Sequence, residues 1–212
     1  MTEKLSPAIM SQHKFSTPSS SGVLQGVVHM PQGVPRAIAV VAHPLSTMGG
    51  NMDNKIVTTL VKTFAELGFV ALRFNFRGVG ESSGVYDEGN GEVEDVLSVV
   101  QYARNEFGQL PLILSGFSFG GYVQARAAMQ LHPDRLVLVA PAVGRFAMPQ
   151  VPANTLLIHG DLDEIVALAE VMAWSGQQHL PIVVVPGATH FFHGHLHEIK
   201  AIVSQHFIGH EP

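Results

Sequence analysis

The stretch Gly116-Phe117-Ser118-Phe119-Gly120 sets a serine between two glycines, directly after the greasy run Leu112-Ile113-Leu114. A helical pattern follows it. A G-x-S-x-G turn between a strand and a helix lifts the serine oxygen clear of a sheet and strains its backbone. Side chains two residues before and two after would collide with neighbouring elements, so glycine is needed there. The helix that follows aims its free N–H groups and positive end at the point where an oxyanion would form. The plainer alternative is a Gly-rich turn that merely packs closely.

Serine is a weak nucleophile at its free pKa and needs a base that a carboxylate orients. In a nucleophile-elbow fold the chain order is Ser, then Asp or Glu, then His. Two downstream stretches supply that order. His159-Gly160-Asp161-Leu162-Asp163 follows the apolar run 155–158, and Pro186-Gly187-Ala188-Thr189-His190 follows the run 182–185. Asp161 and Asp163 both qualify as the acid on position alone, and His190 as the base.

These residues need a frame, and the hydrophobic pattern supplies one. Strands are expected at 24–30, 36–42, 69–75, 111–116, 136–140, 154–160 and 181–185. Helices are expected at 55–67, 92–107, 119–131, 165–177 and 192–208. Strands alternating with helices imply parallel pairing through crossovers: an α/β fold whose open, mostly parallel twisted sheet carries helices on both faces. In such sheets ligands bind beyond the carboxyl ends of the strands. Those positions hold His43, Arg77, Ser118, Asp161, Asp163 and His190. The Ser-rich piece 16–22 reads as a loop or turn between edge strands.

The 212 residues suit a single domain spanning 1–212. With 46% hydrophobic and 14% charged residues, the chain is rich enough in apolar side chains for a well-buried core. The 12 Lys and Arg residues are scattered and the net charge is −5, which disfavours nucleic acid as a partner. No apolar run is long enough to cross a bilayer, and residues 1–14 do not read as a secretory leader. The absence of cysteine excludes a thiolate nucleophile and disulfides. A cytoplasmic location is the expectation.

The whole chain resembles the α/β-hydrolase superfamily, in particular its small, lid-less bacterial esterases related to dienelactone hydrolase. The resemblance rests on HPLSTMGGNMDNK at 43–55, RFNFRGVGESSG at 73–84, GFSFGG at 116–121, HGDLDEIV at 159–166 and GATHFF at 187–192. It implies Ser118 as nucleophile, His190 as base and Asp163 as the orienting acid, with Asp161 shaping the turn. It also implies an oxyanion hole from the backbone N–H groups of Phe119 and Leu45. The stretch 44–48 departs from close relatives, some of which repeat His-Pro there.

His43 is either a polar group of the pocket or a brace for its loop. Arg77 either binds a substrate carboxylate or ties loops together. His193 and His197 would share a face if the last helix began at 192, a spacing that can bind zinc. No HExxH accompanies them, so neither metal nor cofactor is expected. Only thirteen residues, 141–153, join the strand at 136–140 to the one bearing the acid. That is too short for a cap domain, although the Gly-rich loop 79–91 could serve as a cover. The expected activity is hydrolysis of small esters or thioesters through an acyl-enzyme. Acyl transfer or peptide cleavage by the same residues is the alternative within the fold. A non-catalytic binding protein on this scaffold is the alternative outside it.

Overall fold

The computed structural model describes residues 11–208. The segment read above for a leader lies largely outside them. Eight strands form one sheet in the order β1-β2-β4-β3-β5-β6-β7-β8. They are β1 (Gln12–Ser19), β2 (Gly22–His29), β3 (Ile38–Ala42), β4 (Val70–Phe74), β5 (Leu112–Phe117), β6 (Arg135–Val139), β7 (Leu156–Gly160) and β8 (Ile182–Val185). β1 and β2 join by antiparallel pairing, and β3 through β8 run parallel.

Five helices cover the faces: α1 (Lys55–Glu66), α2 (Asn90–Phe107), α3 (Phe119–Leu131), α4 (Leu168–Gly176) and α5 (Leu196–Phe207). Alternation along the central strands divides the core in two. Ile38, Val40 and Ala42 of β3 pack with α2 and α3 side chains such as Val96, Val99 and Val123. Ala39 and Val41 pack with Ile56, Leu60 and Phe64 of α1 and Val203 of α5. Both faces of β3 are therefore buried, which is why it reads as a continuous apolar run.

The structure differs from the sequence reading at three places. β1 runs on through residues 16–19, which the sequence assigns to the turn between edge strands. It is an edge strand that buries only Phe15 and Thr17, so most of it has no reason to be apolar. Phe15 stacks on Tyr102 of α2 with centroids 4.4 Å apart. Residues 16–19 of the Ser-rich piece thus belong to β1, Gly22 opens β2, and only Ser20 and Ser21 make the turn. α4 starts at Leu168 rather than 165, because the side chain of Asp163 accepts from the N–H groups of Ile165 and Val166 and holds them in a turn. α5 starts at Leu196, after Phe192 (φ 49) and Gly194 (φ 82) have broken any helical run. His193 therefore lies ahead of the helix and shares no helical face with His197.

Among the described residues no group of three His, Asp or Glu side chains could hold a metal ion, and no helix is long and apolar enough to cross a membrane.

The strand order places the site. The chain goes from β3 to β4 on one side, then returns to lay β5 on the other side of β3. Ala42 ends up opposite Gly116. The loop after β3 and the elbow after β5 therefore lie side by side at a topological switch point.

Candidate active site

Ser118 sits between β5 and α3 with φ 54 and ψ −116, a conformation L-residues rarely hold. The surroundings enforce it. Its N–H donates to Val139 O at 3.0 Å, and its carbonyl accepts from Gly121, Tyr122 and Ala142. A Cβ on Gly116 would lie 2.3 Å from Gly120 O, and one on Gly120 would lie 2.4 Å from Ala42 O. Both contacts are with backbone, which cannot swing away. The two glycines are thus steric requirements of the elbow.

His190, after β8, places Nε2 3.0 Å from Ser118 Oγ and Nδ1 2.7 Å from Asp163 Oδ2. A carboxylate only accepts, so Nδ1 carries the proton, and Nε2 is left to accept from the serine hydroxyl. The other oxygen of Asp163 takes the N–H groups of Ile165 and Val166 at 2.9 and 2.7 Å. Burial opposes the charge on Asp163, but the hydrogen bonds from His190, Val166 and Ile165 outweigh it and hold its carboxyl below the usual range. Asp161 is exposed and points elsewhere in the network, accepting from Gly187 N–H at 2.6 Å. It ties the β7 turn to the β8 turn and makes no hydrogen bond with His190.

The N–H groups of Leu45 and Phe119 donate to no acceptor among the described residues. Both residues line the cavity that holds Ser118 and His190. His43 explains how Leu45 is aimed. Its Nδ1–H donates to Pro44 O at 2.6 Å and its Nε2 accepts from Phe76 N–H at 3.0 Å. In a trans peptide the C=O and the following N–H point opposite ways. Anchoring Pro44 O on His43 therefore turns the Leu45 N–H away from His43. Burial holds the imidazole neutral, lowering its pKa to about 4, against the hydrogen bond to Pro44, which favours the proton.

Two more bonds fix the same loop. Asn75 Oδ1 accepts from Met52 N–H at 2.8 Å, and Arg73 donates to Met52 O at 3.0 Å. Neither His43 nor Arg77 lines the cavity. Arg77 donates to Asp95 at 2.9 Å and to Ser20 at 3.1 Å, tying its loop to α2 and to the β1–β2 turn.

The cavity measures about 260 Å³. Its wall is largely apolar, with Leu45, Phe119, Ala142, Phe146, Ile165 and Phe191. No residue of loop 79–91 lines it. Within that loop Tyr86 packs its ring 5.7 Å from that of Phe119 and so supports the wall from outside. The link 141–153 carries a tight turn at 143–146 and no helix.

Sequence reasoning missed three contributors. Glu164 accepts the His190 N–H at 3.2 Å. His159, fully buried in β7, donates Nε2–H to Val166 O at 2.9 Å and so braces the turn carrying Asp163. Arg145 lines the cavity from the turn after β6. The rule of inspecting residues beyond each strand's carboxyl end could have found Arg145 had the link after β6 been included.

Comparison with known proteins shows the family and the fold. The family model described as serine aminopeptidase (Hydrolase_4) matches residues 33–154. This chain belongs to that family of α/β hydrolases. It is 37% identical to an α/β serine hydrolase without lid from Xanthomonas campestris, with a TM-score of 0.90 over 97% of this chain and 96% of that one. An α/β serine hydrolase homologue from Coxiella burnetii is also 37% identical, with a TM-score of 0.83 over 93% and 98%. An uncharacterized protein from Rickettsia prowazekii is 34% identical over 81% of this chain and 78% of its own length. The fold is the lid-less form of the superfamily.

Proposed function

We propose that the protein is a carboxylesterase-type serine hydrolase that cleaves small esters or thioesters. Ser118 Oγ attacks the acyl carbonyl while His190 Nε2 takes its proton. Asp163 keeps the ring in the required tautomer and stabilises the imidazolium that forms. The N–H groups of Phe119 and Leu45 receive the oxyanion. The tetrahedral intermediate collapses as His190 returns the proton to the leaving group. Water, activated by the same histidine, then releases the acid from Ser118. No cofactor enters this scheme, and a cytoplasmic setting with a small-molecule substrate belongs to the same reading.

The observation that carries the proposal is the continuous relay Ser118–His190–Asp163 opening into a small, largely apolar cavity beside two N–H groups that have no acceptor among the described residues. The family description raises aminopeptidase activity as a second reading. An aminopeptidase must receive a free ammonium, which calls for a carboxylate in the pocket. Among the described residues no Asp or Glu lines this cavity, and the side chain of fixed charge there is the cation of Arg145. That electrostatics favours the esterase reading.

The test is a panel of p-nitrophenyl esters and aminoacyl p-nitroanilides, with fluorophosphonate labelling of wild type and Ser118→Ala. Ester turnover and labelling that depend on Ser118 support the reading. Turnover of the anilides in preference to the esters would replace it with the peptidase, and absence of labelling would leave a binding protein.

A further inference from the structure

The thirteen-residue link that stands where a lid would be inserted does more than close the chain. Its turn at 143–146 is rigidly seated. Val143 and Phe146 bridge, Arg145 N–H donates to Ala142 O at 3.3 Å, and Ala142 N–H donates to the carbonyl of Ser118 at 3.2 Å. The Phe146 ring stacks on Tyr122 at 4.7 Å and packs on Phe119 at 5.2 Å. Arg145 therefore projects from a turn fastened directly to the residue proposed as nucleophile. It lines the same cavity as Ser118 and His190.

Its guanidinium is unengaged. Arg36, Arg73, Arg77, Arg126 and Arg135 each donate side-chain hydrogen bonds to acceptors within the protein, and Arg104, away from the cavity, leaves its buried Nε without one. Arg145 makes no side-chain hydrogen bond and no ion pair among the described residues, although acids lie nearby. Glu88 shares an adjoining hollow with it, and the carboxylate of Glu170 lies against the space a Cβ on Gly144 would occupy. Within the cavity itself no Asp or Glu offsets the charge. A fixed cation over a largely apolar wall favours a ligand with an apolar body and one anionic group. The forked N–H donors match carboxylate or phosphate oxygens two at a time.

We propose that Arg145 is a specificity-determining residue and that the substrate is an ester bearing a carboxylate or phosphate group. This rests on the esterase reading above. The anion can belong to either half of the ester: the acyl part, as in a half-ester of a dicarboxylic acid, or the alcohol part. Arg145 takes no part in bond making. It holds the anion while Ser118 and His190 act, so its contribution falls on substrate binding and orientation.

The experiment compares kcat/KM for two matched pairs with wild type, Arg145→Ala, Arg145→Lys and Arg145→Glu. One pair is mono-p-nitrophenyl glutarate against p-nitrophenyl butyrate, placing the anion on the acyl side. The other is 4-butyryloxybenzoate against its methyl ester, placing it on the alcohol side. Wild type is expected to favour the anionic member of at least one pair. In Arg145→Ala that preference should fall about 10-fold, mainly through KM, since a charge-assisted hydrogen bond at a partly open site sits near the lower end of its range. Arg145→Lys should keep part of it, and Arg145→Glu should reverse it. The pair that responds identifies which half carries the anion. Equal ratios in wild type and Arg145→Ala for both pairs would overturn the inference while leaving the esterase reading intact. Failure of wild type to hydrolyse any of the four esters would remove both.

Discussion

His43 offers a quantitative test of how the oxyanion loop is held. It is fully buried, donating to Pro44 O and accepting from Phe76 N–H, and the second of these bonds requires the neutral ring. Its pKa is lowered to about 4 by burial, against 6.5 in an unfolded chain. Between those values the unfolded chain binds a proton that the folded chain refuses. Stability is therefore fully present above pH 6.5 and is lost as the pH falls toward 4. Linkage from 6.5 and about 4 gives a loss of roughly 2 kcal/mol between pH 7 and pH 5 from this residue. With a urea m-value of roughly 2 kcal/mol/M, that moves the midpoint by about 1 M.

The assay is urea unfolding of wild type and His43→Asn at pH 7, 6 and 5. His29 and His159, whose pKa values burial also lowers, contribute a slope of the same sign in both proteins. The difference between the two proteins isolates His43. Asparagine can still donate to Pro44 O but does not titrate, so its midpoint should fall about 1 M less over the same range. Equal falls in both proteins would refute the claim that His43 is held neutral. Because Asn cannot also reach Phe76 N–H as the ring does, Leu45 should be less well aimed. Ester kcat should then drop, by at most the roughly 10²- to 10³-fold that loss of one oxyanion donor costs.

Other outcomes follow from the same geometry. Ser118→Ala should retain its circular dichroism spectrum and lose ester turnover by roughly 10³-fold or more. Asp163→Asn should lower kcat by about 10⁴-fold through the wrong His190 tautomer, whereas Asp161→Asn should act mainly on thermal stability, and the opposite ranking in steady-state assays would move the acid's role to Asp161. Gly120→Ala should cost a few kcal/mol in denaturant titrations, at least the roughly 1–3 kcal/mol typical of overpacking, because its Cβ meets the fixed carbonyls of Ala42 and His43. Across acyl chains of rising length, kcat/KM should climb while each methylene is buried at about 0.8 kcal/mol, then level off at about four to six carbons. A rise continuing through twelve carbons would mean that the cavity extends beyond the wall described.

The sequence by itself determined the parts whose reason is local. β3, β4 and β5 are apolar at nearly every position because both faces are buried, and the elbow glycines are small because backbone passes within a bond's reach of them. The placing of Ser118, Asp163 and His190 beyond the ends of β5, β7 and β8 was legible for the same reason, since parallel order turns chain order into position along one edge of the sheet. Tertiary structure alone decided what depends on distant partners. β1 is a strand because β2 offers it an edge and Tyr102 a platform, not because its own residues alternate strongly. Asp163, and not Asp161, reaches His190 because the turn after β7 bends its side chain inward, and two aspartates two residues apart carry no sign of that bend. His43 became a brace, and Arg145 a lone cation at the mouth, only once β5 crossed back beside β3 and the short link folded onto Ser118. Motifs record which atoms a site needs, but the direction in which a buried side chain points is set by the elements packed around it.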